Sequence, residues 1–215
     1  MKTDDLIHKL STDLKPIKPM LSSGYMILLF IVIGFVLIGL SFIMMSVREN
    51  LSERLLDSRI QFELGTSFLL AVLALSLSVV LARPGNERRA RWIEKVTFGF
   101  LLFVLMYDGF RVAQLNLSQI HLGLDLSGME CFISVLGFSI VLGGAMIYWL
   151  RNGASVNPGL SGIVIGTAAV AFGNVSITFF CGVDNGMHIL VWHFVLPLIA
   201  AVGCGFAASR FLLKW

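Results

Sequence analysis

Residues 25–47 read YMILLFIVIGFVLIGLSFIMMSV, an apolar run of 23 residues without a charged side chain. About 20 apolar residues in a helix cross the ~30 Å hydrocarbon core of a bilayer, so this run is long enough to span a membrane. It is too long for the apolar segment of a cleavable signal peptide, and 24 residues precede it. We therefore expect it to remain in the protein as the first span.

Five further apolar runs follow the first, and the composition of the whole chain agrees with them. Of the 215 residues, 57% are hydrophobic and 13% are charged, which lies far outside the balance of a soluble domain. Because these runs lack the alternation of barrel strands, each is predicted to be a helix. The predicted fold is all-α, an integral membrane bundle of six transmembrane helices without a soluble catalytic domain. The predicted spans are 25–47, 62–81, 96–113, 129–150, 159–180 and 189–213.

Basic residues are divided unequally between the two ends of such a bundle. Twelve of the sixteen Lys and Arg residues fall on the side that holds both termini, and four fall on the other side. Since Lys and Arg collect on the cytoplasmic side of membrane proteins, both termini are predicted to be cytoplasmic. Residues 1–24 then form a cytoplasmic segment and 25–215 the transmembrane domain. Asp108 and Arg111, near the outer end of the third span, are predicted to form an ion pair.

The N-terminal segment carries a helical pattern of its own. Thr3 can cap a short helix, Asp4 and Asp5 would lie in its first turn, and Pro16 discourages its continuation. At 100° per residue, one narrow stripe of this amphipathic helix is apolar. The membrane surface, the protein's own loops or a soluble partner can cover that stripe, and the weakly basic polar face makes the membrane surface the weakest of the three. The stripe consists of Leu6, Ile7, Leu10 and Leu14.

Two features inside the spans bear on packing and transport. Small residues recur on one face of the fifth span, where they would allow another helix backbone to approach closely. Ionisable side chains are almost absent from the middle of the spans, which argues against an ion or proton pathway. The small residues of the fifth span are Gly162, Gly166, Ala169 and Gly173.

Several stretches outside the first span are distinctive when taken together. They are the opening Met-Lys-Thr-Asp-Asp-Leu-Ile, the spacer with Pro16 and Pro19, the pair Phe180-Cys181, and the basic and aromatic end from Arg210 to Trp215. With six spans and no soluble domain, the chain resembles, over essentially its whole length, the membrane anti-sigma factors typified by negative regulator of sigma F (NrsF).

The resemblance implies a function and a set of contact residues. Members of that family are six-span inner-membrane proteins of Gram-negative bacteria, and they hold an extracytoplasmic-function sigma factor through their cytoplasmic N-terminal segment. The protein would then be a non-enzymatic regulator of transcription that acts in signal transduction and stress response. The sigma-binding residues would be Asp4, Asp5, Leu6, Ile7 and Leu10, to which the apolar stripe adds Leu14.

The resemblance also draws attention to two of the three cysteines. Cys131 begins the fourth span and Cys181 follows the fifth, so both are predicted at one depth on the outer side, and they match the cysteine pair that the family uses for sensing. They can sense an oxidant or a soft metal ion, pack as independent thiols, or form an inert disulfide. Cys204, deep in the sixth span, is assigned no role. Helpers for a metal are Glu130, Asp184 and His188; His121 and His193 are further candidates, although a packed role is favoured for His193.

These observations lead to one hypothesis and two alternatives. In the hypothesis, the N-terminal helix sequesters the sigma factor, and an oxidant or soft metal at Cys131 and Cys181 releases it. A membrane thiol oxidoreductase that exchanges electrons with a quinone is the first alternative, but it lacks a second cysteine pair. A small-solute transporter is disfavoured by the missing midplane polar site. The predicted partners are the sigma factor and the lipid bilayer, without direct nucleic-acid contact, and no cofactor is predicted beyond that soft metal ion.

Overall fold

The structure of the protein, a computed structural model, describes residues 3, 5, 7, 12, 21–155 and 157–212. Six helices are long and apolar enough to cross a membrane, and no strand occurs among the described residues. The predicted six-helix fold is therefore confirmed. The helices are α1 (Ser23–Met44), α2 (Ser58–Leu81), α3 (Glu87–Ala113), α4 (Gly128–Leu150), α5 (Pro158–Ile177) and α6 (Gly186–Leu212).

The helix bounds lie within four residues of the predicted spans except at the start of α3. α3 begins at Glu87, nine residues before the predicted start at residue 96, because its first turns are charged and extend the helix beyond the apolar run. The loops also contain two short helices that hydropathy did not predict, Leu51–Arg54 and Leu117–Gly123. The second of these begins with a capping box in which the Asn116 side chain accepts from the Gln119 N–H and the Gln119 side chain accepts from the Asn116 N–H.

Successive long helices run in opposite directions, so the bundle has two ends. At one end the Arg48 N–H donates to the Phe179 carbonyl at 3.3 Å, which joins the loop after α1 to the loop after α5. We call this the cysteine end, because Cys181 lies in the second of these loops. At the other end the Ala154 N–H donates to the Ala82 carbonyl at 3.0 Å. We call this the terminal end, because α1 begins and α6 ends there.

The centre of the bundle is α5, of whose 20 residues 17 are buried. The predicted stripe of small residues packs against two neighbouring helices, α6 and α4. A Cβ at Gly166 would lie 2.6 Å from the Ala201 carbonyl oxygen of α6, whereas one at Gly173 would lie 3.1 Å from Val135 of α4. Only glycine fits at Gly166, where the obstacle is backbone, whereas a Cβ at Gly173 would require Val135 to shift by a few tenths of an ångström. By contrast, α1 lies at the edge, with four buried residues among its 22.

The first turns of α6 do not form a regular α-helix. Residues Ile189–Val195 form a π-helical stretch, and the Leu196 N–H donates to the Val191 carbonyl, five residues back. Pro197 follows directly and has no N–H, so the carbonyl one turn earlier loses its α-helical donor. A local π adjustment is one way in which a membrane helix satisfies the groups that a proline frees.

The N-terminal segment is described at four positions, Thr3, Asp5, Ile7 and Thr12. All four are helical and exposed, and the apolar side chain of Ile7 is 58% exposed. The other residues assigned to sigma-factor binding lie outside the described residues. They are Asp4, Leu6, Leu10 and Leu14.

Candidate functional site

Three helices bring two cysteines and two histidines together at the cysteine end. Cys131 lies in the first turn of α4, Cys181 in the loop after α5, and His188 and His193 in the first two turns of α6. Cys131 is half-buried and the other three are buried. Because α4 and α6 both pack against α5, residues from three separate parts of the chain converge at one point. We call these four residues the Cys–His cluster.

The distances within the cluster are those of direct contact. The Cys131 thiol donates to Cys181 Sγ at 3.5 Å, and Cys181 Sγ lies 3.4 Å from His188 Nε2. The rings of His188 and His193 meet edge to face with centroids 5.2 Å apart. One ligand atom from each of the four residues lies within 4.8 Å of the other three. The two cysteines are free thiols.

The cluster has the donor set of a tetrahedral metal site. Two thiolates and two imidazoles form the S₂N₂ set that binds Zn²⁺, and thiolate ligands also select Cu⁺. Zn–S bonds of about 2.3 Å would place two sulfurs of a tetrahedral site about 3.8 Å apart, close to the 3.5 Å between Cys131 and Cys181. His193 Nε2 is buried and has no hydrogen-bond partner among the described residues. The residues therefore fit a metal ion without a large rearrangement.

The electrostatics favour a thiolate at Cys181. The hydrogen bond that Cys131 donates, together with His188 and His193, lowers the pKa of the Cys181 thiol from its ordinary value, although burial opposes the shift. The Val183 N–H also donates to this sulfur at 3.5 Å. A cavity of about 460 Å³ at the cysteine end is lined by both cysteines, so a small reagent can reach the sulfurs. The pair therefore combines proximity, thiolate character and access, the three requirements of reactive cysteines.

The predicted metal helpers do not all lie at the Cys–His cluster. His188 lies in the cluster, and Glu130 is exposed beside Cys131 and lines the same cavity. The carboxylate of Asp184 is engaged by Arg48 and Arg54 instead. His121 is exposed on the short helix Leu117–Gly123, outside the cluster.

His193, for which the sequence favoured a packed role, is buried and also lies in the cluster. On a regular α-helix, residues five apart point about 140° away from each other, so His188 and His193 would diverge. The i→i+5 bonding of the π-helical stretch adds residues to each turn and brings positions five apart toward one side. Pro197, two residues beyond the stretch, is the sequence signal that could have predicted this.

Two ion-pair networks surround the cluster. In the first, Arg48 donates two hydrogen bonds to the two oxygens of Asp184, at 3.2 and 3.0 Å, and Arg54 contacts the same carboxylate at 2.7 Å. In the second, Arg111 pairs with Asp108 at 3.9 Å, which confirms the predicted ion pair. Hydropathy and spacing did not predict the other partner of Arg111, the carboxylate of Glu63 on α2.

The model of the family NrsF, negative regulator of sigma F, matches residues 10–215. That range includes all six long helices and the Cys–His cluster, and it begins after the Met1 to Ile7 stretch. No curated protein and no solved structure matches the chain. Because the match covers nearly the whole chain, this protein belongs to the NrsF family of negative regulators of sigma F.

Proposed function

We propose that this protein is an inner-membrane anti-sigma factor with a sensor on its outer face. It sequesters an extracytoplasmic-function sigma factor through its N-terminal segment and releases it when the Cys–His cluster meets an oxidant or a soft metal ion. The observation that carries the sensing half is the convergence of four donor atoms within 4.8 Å of one another. Family membership supports the regulation of a sigma factor.

The proposed orientation follows from charge. Of the described Lys and Arg residues, seven lie at the terminal end and four at the cysteine end, and basic residues collect on the cytoplasmic faces of membrane proteins. The N-terminal segment would then meet soluble partners in the cytoplasm, while the cysteine end faces the periplasm. The periplasm permits disulfides and admits metal ions from outside the cell. Each half of the proposed function therefore lies in the compartment where its chemistry can occur.

The exposed side chain of Ile7 supports a role for the N-terminal segment in binding. An apolar side chain that is 58% exposed on a helix gains stability when a partner covers it. An amphipathic helix that is laid into a groove of a soluble protein is a common mode of recognition. The acidic residue Asp5 is also helical and exposed, so it is available to a basic surface on that partner.

The chemistry at the cluster changes its charge and its covalent structure. A metal ion would displace the thiol proton of Cys131 and would be held by Cys131, Cys181, His188 and His193. Oxidation would instead join the two sulfurs in a disulfide. The Cys181 thiolate and the Cys131 thiol would together lose two electrons and one proton. A two-electron oxidant such as hydrogen peroxide would take these up with one further proton from solvent and be reduced to water. The disulfide would draw the start of α4 and the loop after α5 together, because a disulfide bond is about 2.05 Å long and the two sulfurs now lie 3.5 Å apart. The metal ion would instead tie them near their present separation and engage the two histidines.

Affinity purification of the tagged full-length protein from native membranes tests the binding half. We expect the wild type to carry a stoichiometric sigma factor, identified by mass spectrometry, and Ile7→Asp to lose it, because a charge on the apolar stripe opposes its burial. His8→Asp is the matched control, since helical periodicity puts the same new charge on the opposite face. If neither the wild type nor the control carries a soluble partner, the anti-sigma role is wrong and the membrane thiol oxidoreductase becomes the leading function.

The same purification tests the sensing half. The double variant Cys131→Ser with Cys181→Ser should keep the sigma factor, because the N-terminal segment is unchanged. It should also retain the sigma factor after treatment with Zn²⁺ or with the thiol oxidant diamide, whereas the wild type releases it. A double variant that releases the sigma factor as the wild type does would exclude the cysteines as the sensor.

A further inference from the structure

The loop that carries Cys181 is fastened to the chain just beyond α1. Arg48, four residues after the end of α1, holds this loop at two points on either side of Cys181. Its backbone N–H donates to the Phe179 carbonyl at 3.3 Å, and its guanidinium donates to both oxygens of Asp184 at 3.2 and 3.0 Å. The Arg48 side chain is only 6% exposed. A buried bidentate pair of this kind holds its partner in a defined position.

Further contacts extend this attachment to the last turns of α1. The ring of Phe42 packs against the rings of Phe179 and Phe180, with centroids 5.5 and 5.0 Å apart. The hydroxyl of Ser176 donates to that of Ser41 at 3.3 Å. Beyond Ile38, none of the residues of α1 is buried. At the cysteine end, α1 is therefore held mainly through the loop after α5.

Arg48 also faces the Cys–His cluster from the other side of a small polar pocket. The two buried nitrogens without a hydrogen-bond partner at this end of the described structure are Arg48 Nε and His193 Nε2. Both residues line one pocket together with Cys181, Asp184 and Glu63. Its volume of about 10 Å³ is just enough for one water molecule, which could accept from Arg48 and donate to His193. The cluster and the attachment of α1 therefore share one polar environment.

We infer that Arg48 couples the Cys–His cluster to α1, so that ligation or oxidation of the cluster shifts α1 and the N-terminal segment that precedes it. This inference rests on the proposed function, because it describes how the sensing site reaches the segment that binds the sigma factor. A metal bound to His193 Nε2 removes that nitrogen from the shared pocket. A disulfide draws Cys181 toward Cys131 and moves the loop that Arg48 grips. In both cases Arg48 is a positioning residue that transmits the change.

One substitution, Arg48→Gln, removes the side-chain contacts of Arg48 and leaves the residues of the Cys–His cluster unchanged. In Arg48→Gln the carboxylate of Asp184 keeps its partner Arg54 at 2.7 Å, so no buried charge is left alone. The backbone hydrogen bond from residue 48 to Phe179 also survives. Arg54→Gln is the matched control, because it removes the same charge from the same carboxylate but touches neither Phe179 nor the pocket.

The experiment uses the full-length protein with its sigma factor in native membranes and adds Zn²⁺ or diamide. Without either reagent, wild type, Arg48→Gln and Arg54→Gln should hold the sigma factor equally. With the reagent, the wild type and Arg54→Gln should release it, and Arg48→Gln should release at least tenfold less. Zn²⁺ affinity or disulfide formation at the cluster should stay within twofold of wild type in all three. Arg48→Lys keeps the positive charge but cannot donate the two parallel hydrogen bonds to Asp184, and it should release more sigma factor than Arg48→Gln and less than the wild type.

Two results would overturn the inference, and they are distinguishable. If Arg48→Gln releases the sigma factor as fully as the wild type, Arg48 does not couple the cluster to α1, while the proposed function stands. If the wild type binds Zn²⁺ or forms the disulfide and still retains the sigma factor, the sensing function is wrong and the coupling falls with it. Should Arg48→Gln fail to accumulate, equal release by Arg48→Lys and the wild type would overturn the need for a bidentate contact.

Discussion

The two ends of the bundle are held together by different forces. At the terminal end, α5 and α6 cross with their backbones in contact at Gly162 and Gly205, so van der Waals contact limits their distance there. At the cysteine end, thiols, imidazoles and ion pairs join the ends of all six long helices. Van der Waals contacts between helix backbones are not altered by protons, metal ions or oxidants. Thiols and imidazoles bind protons and metal ions, and thiols are also oxidised. Protons, metal ions and oxidants can therefore change the contacts at the cysteine end but not the helix packing at the terminal end.

The largest effect is expected from overfilling the terminal end. In Gly162→Leu the new side chain would enter the space of the Gly205 carbonyl group on α6. Overpacking costs about 1–3 kcal/mol and more where the obstacle is backbone, so we expect little monodisperse protein and a clearly lower unfolding temperature in detergent. Gly144→Leu is the control, because a Cβ at Gly144 meets nothing within 4 Å. Equal stability of the two variants would show that the backbone contact does not fix the terminal end.

A second prediction tests whether His193 belongs to the chemically responsive end. His193→Ala removes one of the four donors of the Cys–His cluster. We expect the affinity for Zn²⁺ to fall by about 10–100-fold or more, since even residues that only support metal ligands have effects of that size. His121→Ala should leave the affinity unchanged, because His121 lies outside the cluster. Competition with a chromophoric chelator measures both variants, and an unaltered affinity in His193→Ala would return His193 to a packing role.

The sequence was sufficient for the fold because apolar length is a local property. Six runs near 20 residues predicted six helices, and each run agrees with one observed helix. The depth of Cys131 and Cys181 followed from the same spans, and the structure brings their sulfurs to 3.5 Å. The small residues Gly162 and Gly166 predicted a close helix crossing, which the structure places between α5 and α6.

The rest of the site could not be predicted because it depends on which helix ends lie side by side in the bundle and on a local departure from α-helical geometry. Arg48 and Asp184 are 136 residues apart in the chain, and nothing in either apolar run indicates that α1 ends beside the loop after α5. Asp184 was predicted as a metal helper from its nearness to Cys181 in sequence, but its carboxylate pairs with two arginines. His193 required the π-helical stretch, which a regular period of 3.6 residues does not describe.

The smallest predicted effect concerns the pH dependence of Cys181. Since its pKa is lowered, Cys181 stays a thiolate at pH values where an ordinary thiol, with a pKa of about 8.5, is protonated. Its alkylation by iodoacetamide should therefore change less than about twofold between pH 6 and pH 8, because the thiolate is the reactive form. Peptide-resolved mass spectrometry measures the rate, with the same cysteine in the chain unfolded by denaturing detergent as the reference.

In the unfolded reference the rate should rise about tenfold per pH unit below the ordinary pKa, because the thiolate fraction does so. Cys204 in the folded chain reports on α6 away from the cluster, and its peptide is read in the same spectra. If the profile of Cys181 instead runs parallel to that of the unfolded chain, the donors at the cysteine end do not hold a thiolate. A metal or oxidant would then have to compete with a protonated thiol at Cys181.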